Sequence, residues 1–131
     1  FNELVTFASI IEKESRHKVE MTTISSVFHN RLKKGMPLAS DPTVVYALGK
    51  FYKKRVYYKD LKIKSPFNTY KVKGLPPTPI ASPGVDAFEA ALYPKKTPYL
   101  FFVAKKDGHH YFSRTYKEHL AFQNKKNNHN Y

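Results

Sequence analysis

Five of the nine prolines fall within residues 65–83, SPFNTYKVKGLPPTPIASP. No other feature limits the fold so strongly. Proline has no N–H to give to a ladder, so this stretch is no central strand. It is also too apolar for a flexible linker. It reads as an ordered loop lying over the domain surface, and long ordered loops often carry function. The loop separates a helical first half from a second half in which the hydrophobic period changes.

Upstream, residues 3–16 place Leu4, Phe7, Ala8, Ile11 and Glu14 at helical spacing. Residues 19–34 repeat the pattern with Ile24, Val27, Phe28, Arg31 and Leu32, and Gly35 is the expected stop. In SDPTVVYALGK, Asp41 reads as an N-cap, Pro42 as the first helical residue and Gly49 as the end. SPGVDAFEAALYP reads the same way, with Ser82 as cap, Pro83 following and Pro94 as stop. Downstream, residues 98–113 predict a β-hairpin turning at Lys106-Asp107-Gly108. TYKE, residues 115–118, is a capping box opening a last helix to about Asn124, with a frayed tail beyond. Helices first and a hairpin late make the class α+β.

The 131 residues fit one domain, 1–131, with a sizeable core, and ten Phe and ten Tyr argue against disorder. No apolar run is long enough to span a bilayer. The chain opens directly on a helix pattern, FNELVTFASIIEKES, which suggests an excised fragment whose upstream segments, any anchor included, lie outside it. Without cysteine there is no disulfide or thiol chemistry, though this places no compartment. A net charge of +13 suits a polyanionic partner: nucleic acid, acidic lipid or an anionic wall polymer. It equally suits plain solubility, because the lysines are spread along the chain. Only KKRVYYKDLKIK and the terminal KKNNHNY look clustered.

Two acids end the first helix. Glu14 follows Phe7 and Ile10 along one flank of the apolar face, and Glu12 follows Val5 and Ala8 along the other. Periodicity does not choose between them, and both also fit ordinary surface acids, with Glu12 bridging to Arg16. A carboxyl at the edge of an apolar patch is desolvated, its pKa rises, and it can protonate a leaving oxygen in glycoside cleavage. The histidines show no metal pattern; His109 and His110 are adjacent, so in a strand they face opposite ways. Neither a Gly-rich phosphate loop nor a local Ser-His-Asp signature is present. Tyr46, Tyr57, Tyr58, Phe67 and Tyr70 offer flat apolar faces with polar edges, which suit sugar rings. Asp41 fits a plain cap, and Asn68 and Thr69 fit a loop bonding its own backbone.

Taken together, ASIIEKES, VFHNRLKKGMPLASDPTVVYALG, SPFNTYKVKGLPPTPIASPG, AALYPKKTPYLFFVAKKDGHHYFS and HLAFQNK resemble the YceG-like (MltG-type) endolytic murein transglycosylases. The similarity runs in order across nearly the whole chain. It implies a cofactor-free, metal-free lyase that cuts peptidoglycan strands between N-acetylmuramic acid and N-acetylglucosamine, leaves 1,6-anhydro ends and terminates nascent strands. It implies a single-pass anchor in the inner membrane, a LysM-like region, and a periplasmic catalytic domain working beside peptidoglycan synthases. The second acid of the family's EKE matches Glu14, here followed by Ser15 where many relatives have Thr. Glu14 is then the acid and afterwards the base, and Glu12 is structural or tunes its pKa. The family blocks also fall on Asn30, Arg31, Asp41, Thr43, Tyr46, Asn68, Thr69 and Tyr70, expected along the substrate cleft. The rival reading is a non-catalytic basic domain that binds an anionic polymer, nucleic acid or wall glycan. No helix-turn-helix, RRM or OB signature supports the nucleic-acid form.

Overall fold

A computed structural model describes residues 2–49 and 56–129, with side chains to residue 125. Lys53, Lys54 and Arg55 of the central basic cluster, and the last residues of the basic tail, lie outside the described residues. The order is α1 (Asn2–Glu14), a 3₁₀ turn, α2 (Met21–Lys33), α3 (Asp41–Leu48), a second 3₁₀ turn, α4 (Val85–Leu92), β1 (Phe101–Ala104), β2 (His110–Ser113) and α5 (Tyr116–His129). The architecture is α+β, with one small antiparallel sheet among the described residues.

α1 is central. Its Phe7, Ile10 and Ile11 are buried with Ile24 and Phe28 of α2, Leu38, and Ala87, Ala90 and Ala91 of α4. Alanines on α4 let that helix approach α1 closely. Phe28 meets Phe7 edge-on at 6.2 Å and Phe102 of β1 at 5.7 Å, which ties the hairpin to the helical core. The proline-rich loop is ordered over α1: Ile80 is buried and its N–H donates to Ser9 Oγ at 3.1 Å, while Phe67 and Leu75 pack on the core.

Two expected caps differ. Ser40, not Asp41, is the N-cap of α3, and it makes no side-chain cap bond because its hydroxyl is bonded elsewhere. Asp41 instead occupies the first turn, where its charge suits the helix dipole. The cap of α4 is Gly84 rather than Ser82, and its N–H donates to Glu12 Oε1 at 2.7 Å. The acceptor that helix start needs thus comes from α1, a long-range partner that local sequence does not reveal. Glu12 therefore does not serve Arg16.

The hairpin pairs Phe101 with Ser113 and Ala104 with His110. Its strands are shorter than residues 98–113 because the lead-in is bonded to α2: Asn30 Nδ2 donates to the carbonyls of Thr97 and Tyr99, both at 2.9 Å. At the turn, Gly108 has φ +88°, and a Cβ there would lie 2.9 Å from Arg16 Cδ. Glycine thus meets both the left-handed backbone and the close docking of the turn on the end of α1. The TYKE box forms, with Glu118 N–H on Thr115 Oγ1 at 3.2 Å and Thr115 N–H on Glu118 Oε1 at 3.3 Å. α5 then continues past Asn124 to His129 instead of fraying there.

Candidate active site

Glu14 is the last residue of α1 and lines a cleft of about 390 Å³. Arg31, Asp41 and Tyr70 share that lining, and Phe102, His110, His119 and Gln123 close it from the hairpin and α5.

Helix α1 carries Glu14 out of the apolar core to the cleft floor. There Ser40 Oγ donates to Glu14 Oε2 at 3.1 Å, while Oε1 has no hydrogen-bond partner among the described residues. Ser40 is fully buried and firmly held. Its N–H donates to Thr69 Oγ1 at 2.9 Å, and its carbonyl accepts from Thr43 Oγ1 at 2.7 Å. The two threonine hydroxyls are 2.8 Å apart. The residue before it, Ala39, has φ +52°, a left-handed conformation unfavourable for a residue with a Cβ. The Ala39 N–H on the Thr69 carbonyl, 3.1 Å, holds that turn. Directly after this turn the Ser40 hydroxyl reaches Glu14.

Burial pushes the pKa of Glu14 up to about 8, with the nearby Asp41 charge adding to the rise; the Ser40 bond and Arg31 partly oppose it. The carboxylate that raises Glu14 is therefore Asp41, whereas Glu12 is bonded to Gly84 and has no part in the shift. Tyr70 donates its hydroxyl to Asp41 Oδ1, and burial together with that bond raises its pKa well beyond the usual phenol value. It stays neutral and anchors Asp41. Arg31 is fixed by Nε–H on Leu100 O at 2.7 Å and Nη1–H on Pro37 O at 2.8 Å, with its guanidinium over the Phe101 ring.

The remaining expected residues stand behind the cleft rather than on its surface. Asn68 is fully buried, with Nδ2 on the carbonyls of Leu61 and Ile63 at 2.9 and 2.8 Å and Oδ1 accepting from Tyr70 N–H at 3.0 Å. Thr43 and Thr69 hold Ser40, Asn30 holds the hairpin lead-in, and Tyr46 packs on Phe67 at 4.9 Å. Tyr57 and Tyr58 are exposed away from the cleft lining.

Sequence reasoning missed Ser40, although it stands next to Asp41, because its partner is 26 residues away. It also missed His110 and His119. His110 is held by Glu20, which accepts from the His110 N–H at 3.0 Å and lies 3.0 Å from its Nδ1. The spacing of His119 and Gln123, one turn apart on the last helix, was the available signal. No group of three or more metal-binding side chains is assembled among the described residues. No helix among them is long and apolar enough to cross a membrane.

A carboxyl that is protonated at neutral pH, with one oxygen fixed and the other open to a cleft, can donate a proton and take one back.

Three comparisons bear on this arrangement. A model of the YceG-like family matches residues 1–125. The chain is 57% identical over 118 residues to the endolytic murein transglycosylase of Bacillus subtilis, covering 90% of this chain and 32% of that protein. It is 38% identical over 123 residues to the protein of the same name from Streptococcus pneumoniae, covering 90% and 22%. A crystal structure of a YceG-like protein from Listeria monocytogenes superposes with a TM-score of 0.89 at 52% identity, over 92% of this chain and 39% of that one. The chain thus spans well under half the length of each relative.

Proposed function

The chain belongs to the YceG-like family, and from that premise we propose that it is the catalytic domain of an endolytic peptidoglycan transglycosylase, a lyase. It cleaves the bond between N-acetylmuramic acid and N-acetylglucosamine within a glycan strand, adds no water, and leaves a 1,6-anhydro end. Acting on nascent strands, it terminates them. It works outside the cytoplasm, held to the membrane by a segment beyond this chain and placed near peptidoglycan synthases.

One observation carries this reading: Glu14 lines the cleft with Oε2 held by Ser40 and Oε1 unbonded among the described residues, while burial and the nearby Asp41 charge raise its pKa. Glu14 Oε1 gives its proton to the glycosidic oxygen as the bond to C1 breaks. The substrate's acetamido group can stabilise the intermediate. Glu14, now ionised and still bonded to Ser40, takes the proton of the muramic C6 hydroxyl as that oxygen closes on C1. The carboxyl ends as it began, so no second carboxylate is needed to activate water. Tyr70 fixes Asp41, and Asp41 keeps Glu14 protonated. Arg31 steadies the ionised stage. Asn30, Thr43, Tyr46, Asn68 and Thr69 hold the cleft in shape around them.

Mass spectrometry of digested peptidoglycan tests the reading. Anhydro ends from the wild type, lost in Glu14→Gln, are the expected result. Reducing ends would mean hydrolysis. Binding without products would favour a carrier of anionic polymer.

A further inference from the structure

Acid–base chemistry gives no task to the α5 wall of the cleft. His119 and Gln123 stand four residues apart, hence on one helix face, and both line the cavity. His119 lies against Phe101 at 5.4 Å, and the Arg31 guanidinium lies over the same ring at 5.0 Å. Its Nδ1 is sealed from solvent and has no hydrogen-bond partner. Burial, with the Arg31 charge, lowers the pKa of His119, so the ring is neutral at neutral pH. A neutral imidazole carries one proton. Buried N–H groups without an acceptor are rarer than bare acceptors, so we assign the proton to Nε2, the nitrogen that is not sealed. The Gln123 amide adds a donor and an acceptor with no partner among the described residues.

We propose that His119 and Gln123 read the N-acetyl group of a hexosamine unit in the bound strand. His119 Nε2–H donates to the acetamido carbonyl, and the Gln123 carbonyl accepts from the acetamido N–H. Two neutral groups, one a donor and one an amide, match a neutral amide on the ligand. Neither of the two carries the charge that a stem-peptide carboxylate would call for, and the Arg31 guanidinium nearby is already held by the carbonyls of Leu100 and Pro37. Phe101 packs against the His119 ring, and Phe102 shares the cavity lining with both residues. This inference rests on reading the cleft as a glycan site.

The test uses binding rather than turnover. Glu14→Gln protein is titrated by calorimetry with a tetramer of N-acetylglucosamine and with the equally linked tetramer of glucose, which replaces each acetamido group by a hydroxyl. The acetylated tetramer should bind more tightly. His119→Ala and Gln123→Ala, each on that background, should reduce the preference by roughly fivefold, the scale of one neutral hydrogen bond, and leave affinity for the glucose tetramer unchanged. Gln123→Ala removes no core packing, so it keeps the test sound if His119→Ala perturbs the fold. No preference at the outset, an unchanged preference in both variants, or equal weakening for both sugars overturns the inference. A preference that is present and falls in the two variants, together with a wild type that makes no anhydro ends, would sink the proposed reaction and spare this recognition. Anhydro ends with an unaltered preference would do the reverse.

Discussion

Glu14 has two oxygens with different duties. Oε2 is bonded to Ser40 and Oε1 faces the cleft. Glu14→Gln keeps the shape but cannot cycle a proton, so anhydro-product formation should fall at least about a hundredfold, with circular dichroism unchanged. Glu12→Gln should cost far less turnover, because Glu12 serves Gly84. A dead Glu12→Gln beside an active Glu14→Gln would reverse the assignment. The pKa of about 8 gives the pH profile its sign. The protonated acid starts the reaction, so kcat/KM should hold up to about that pH and fall above it. Ser40 donates to the carboxyl and so favours its ionised form. Ser40→Ala should move the alkaline limb to higher pH, and Ser40→Thr should restore it; a limb that stays in place would show that Ser40 does not tune the acid. The same shift acts on stability. Folded Glu14 holds its proton at pH values where the unfolded group, near 4.5, has lost it. Its contribution to stability is complete below 4.5 and is lost as pH rises toward 8, a slope in the urea midpoint that Glu14→Gln should flatten.

At the scale of elements, local rules located the pieces and long-range partners placed them. Helical spacing marked α1 and α2, the TYKE box marked the start of α5, and the turn at Gly108 marked the hairpin. The caps of α3 and α4 were misplaced by one or two residues because their hydroxyl and carboxylate partners come from distant segments. Ser40 turns to Glu14, and Glu12 supplies α4. Of the residues expected in the cleft, Glu14, Arg31, Asp41 and Tyr70 line it, while Asn68, Thr43 and Thr69 are buried behind it. A sequence pattern marks residues that matter to a site without separating those that touch a ligand from those that hold the ones that do. The hairpin turn offers an independent measurement. Gly108→Ala must put a side chain in left-handed backbone, about 1–2 kcal/mol, against Arg16. The urea midpoint should fall accordingly, whereas the same change at an exposed, regular position would leave it nearly still.

For the whole molecule, the excess of 13 positive charges acts at long range. In the proposed setting, stem peptides and neighbouring lipids are anionic, and exposed lysines would attract them over roughly 10 Å at 0.1 M salt. Added salt should slow cleavage at low substrate by raising KM, with kcat little changed. A rate at low substrate that ignores salt would remove charge from substrate capture. The cleft also joins distant parts of the chain. Its acid lies at residue 14 and its opposite wall at residues 102–123. During synthesis the acid is made before α5, so it has no enclosed cavity until α5 has left the ribosome and docked on the hairpin. On the proposed function, a product of translation that stops between Glu14 and α5, or a fragment clipped after Ser113, carries the proton donor without the chamber that would present a strand to it. On that same function, chain order alone safeguards the wall: the proton donor is made before the chamber that presents a strand to it.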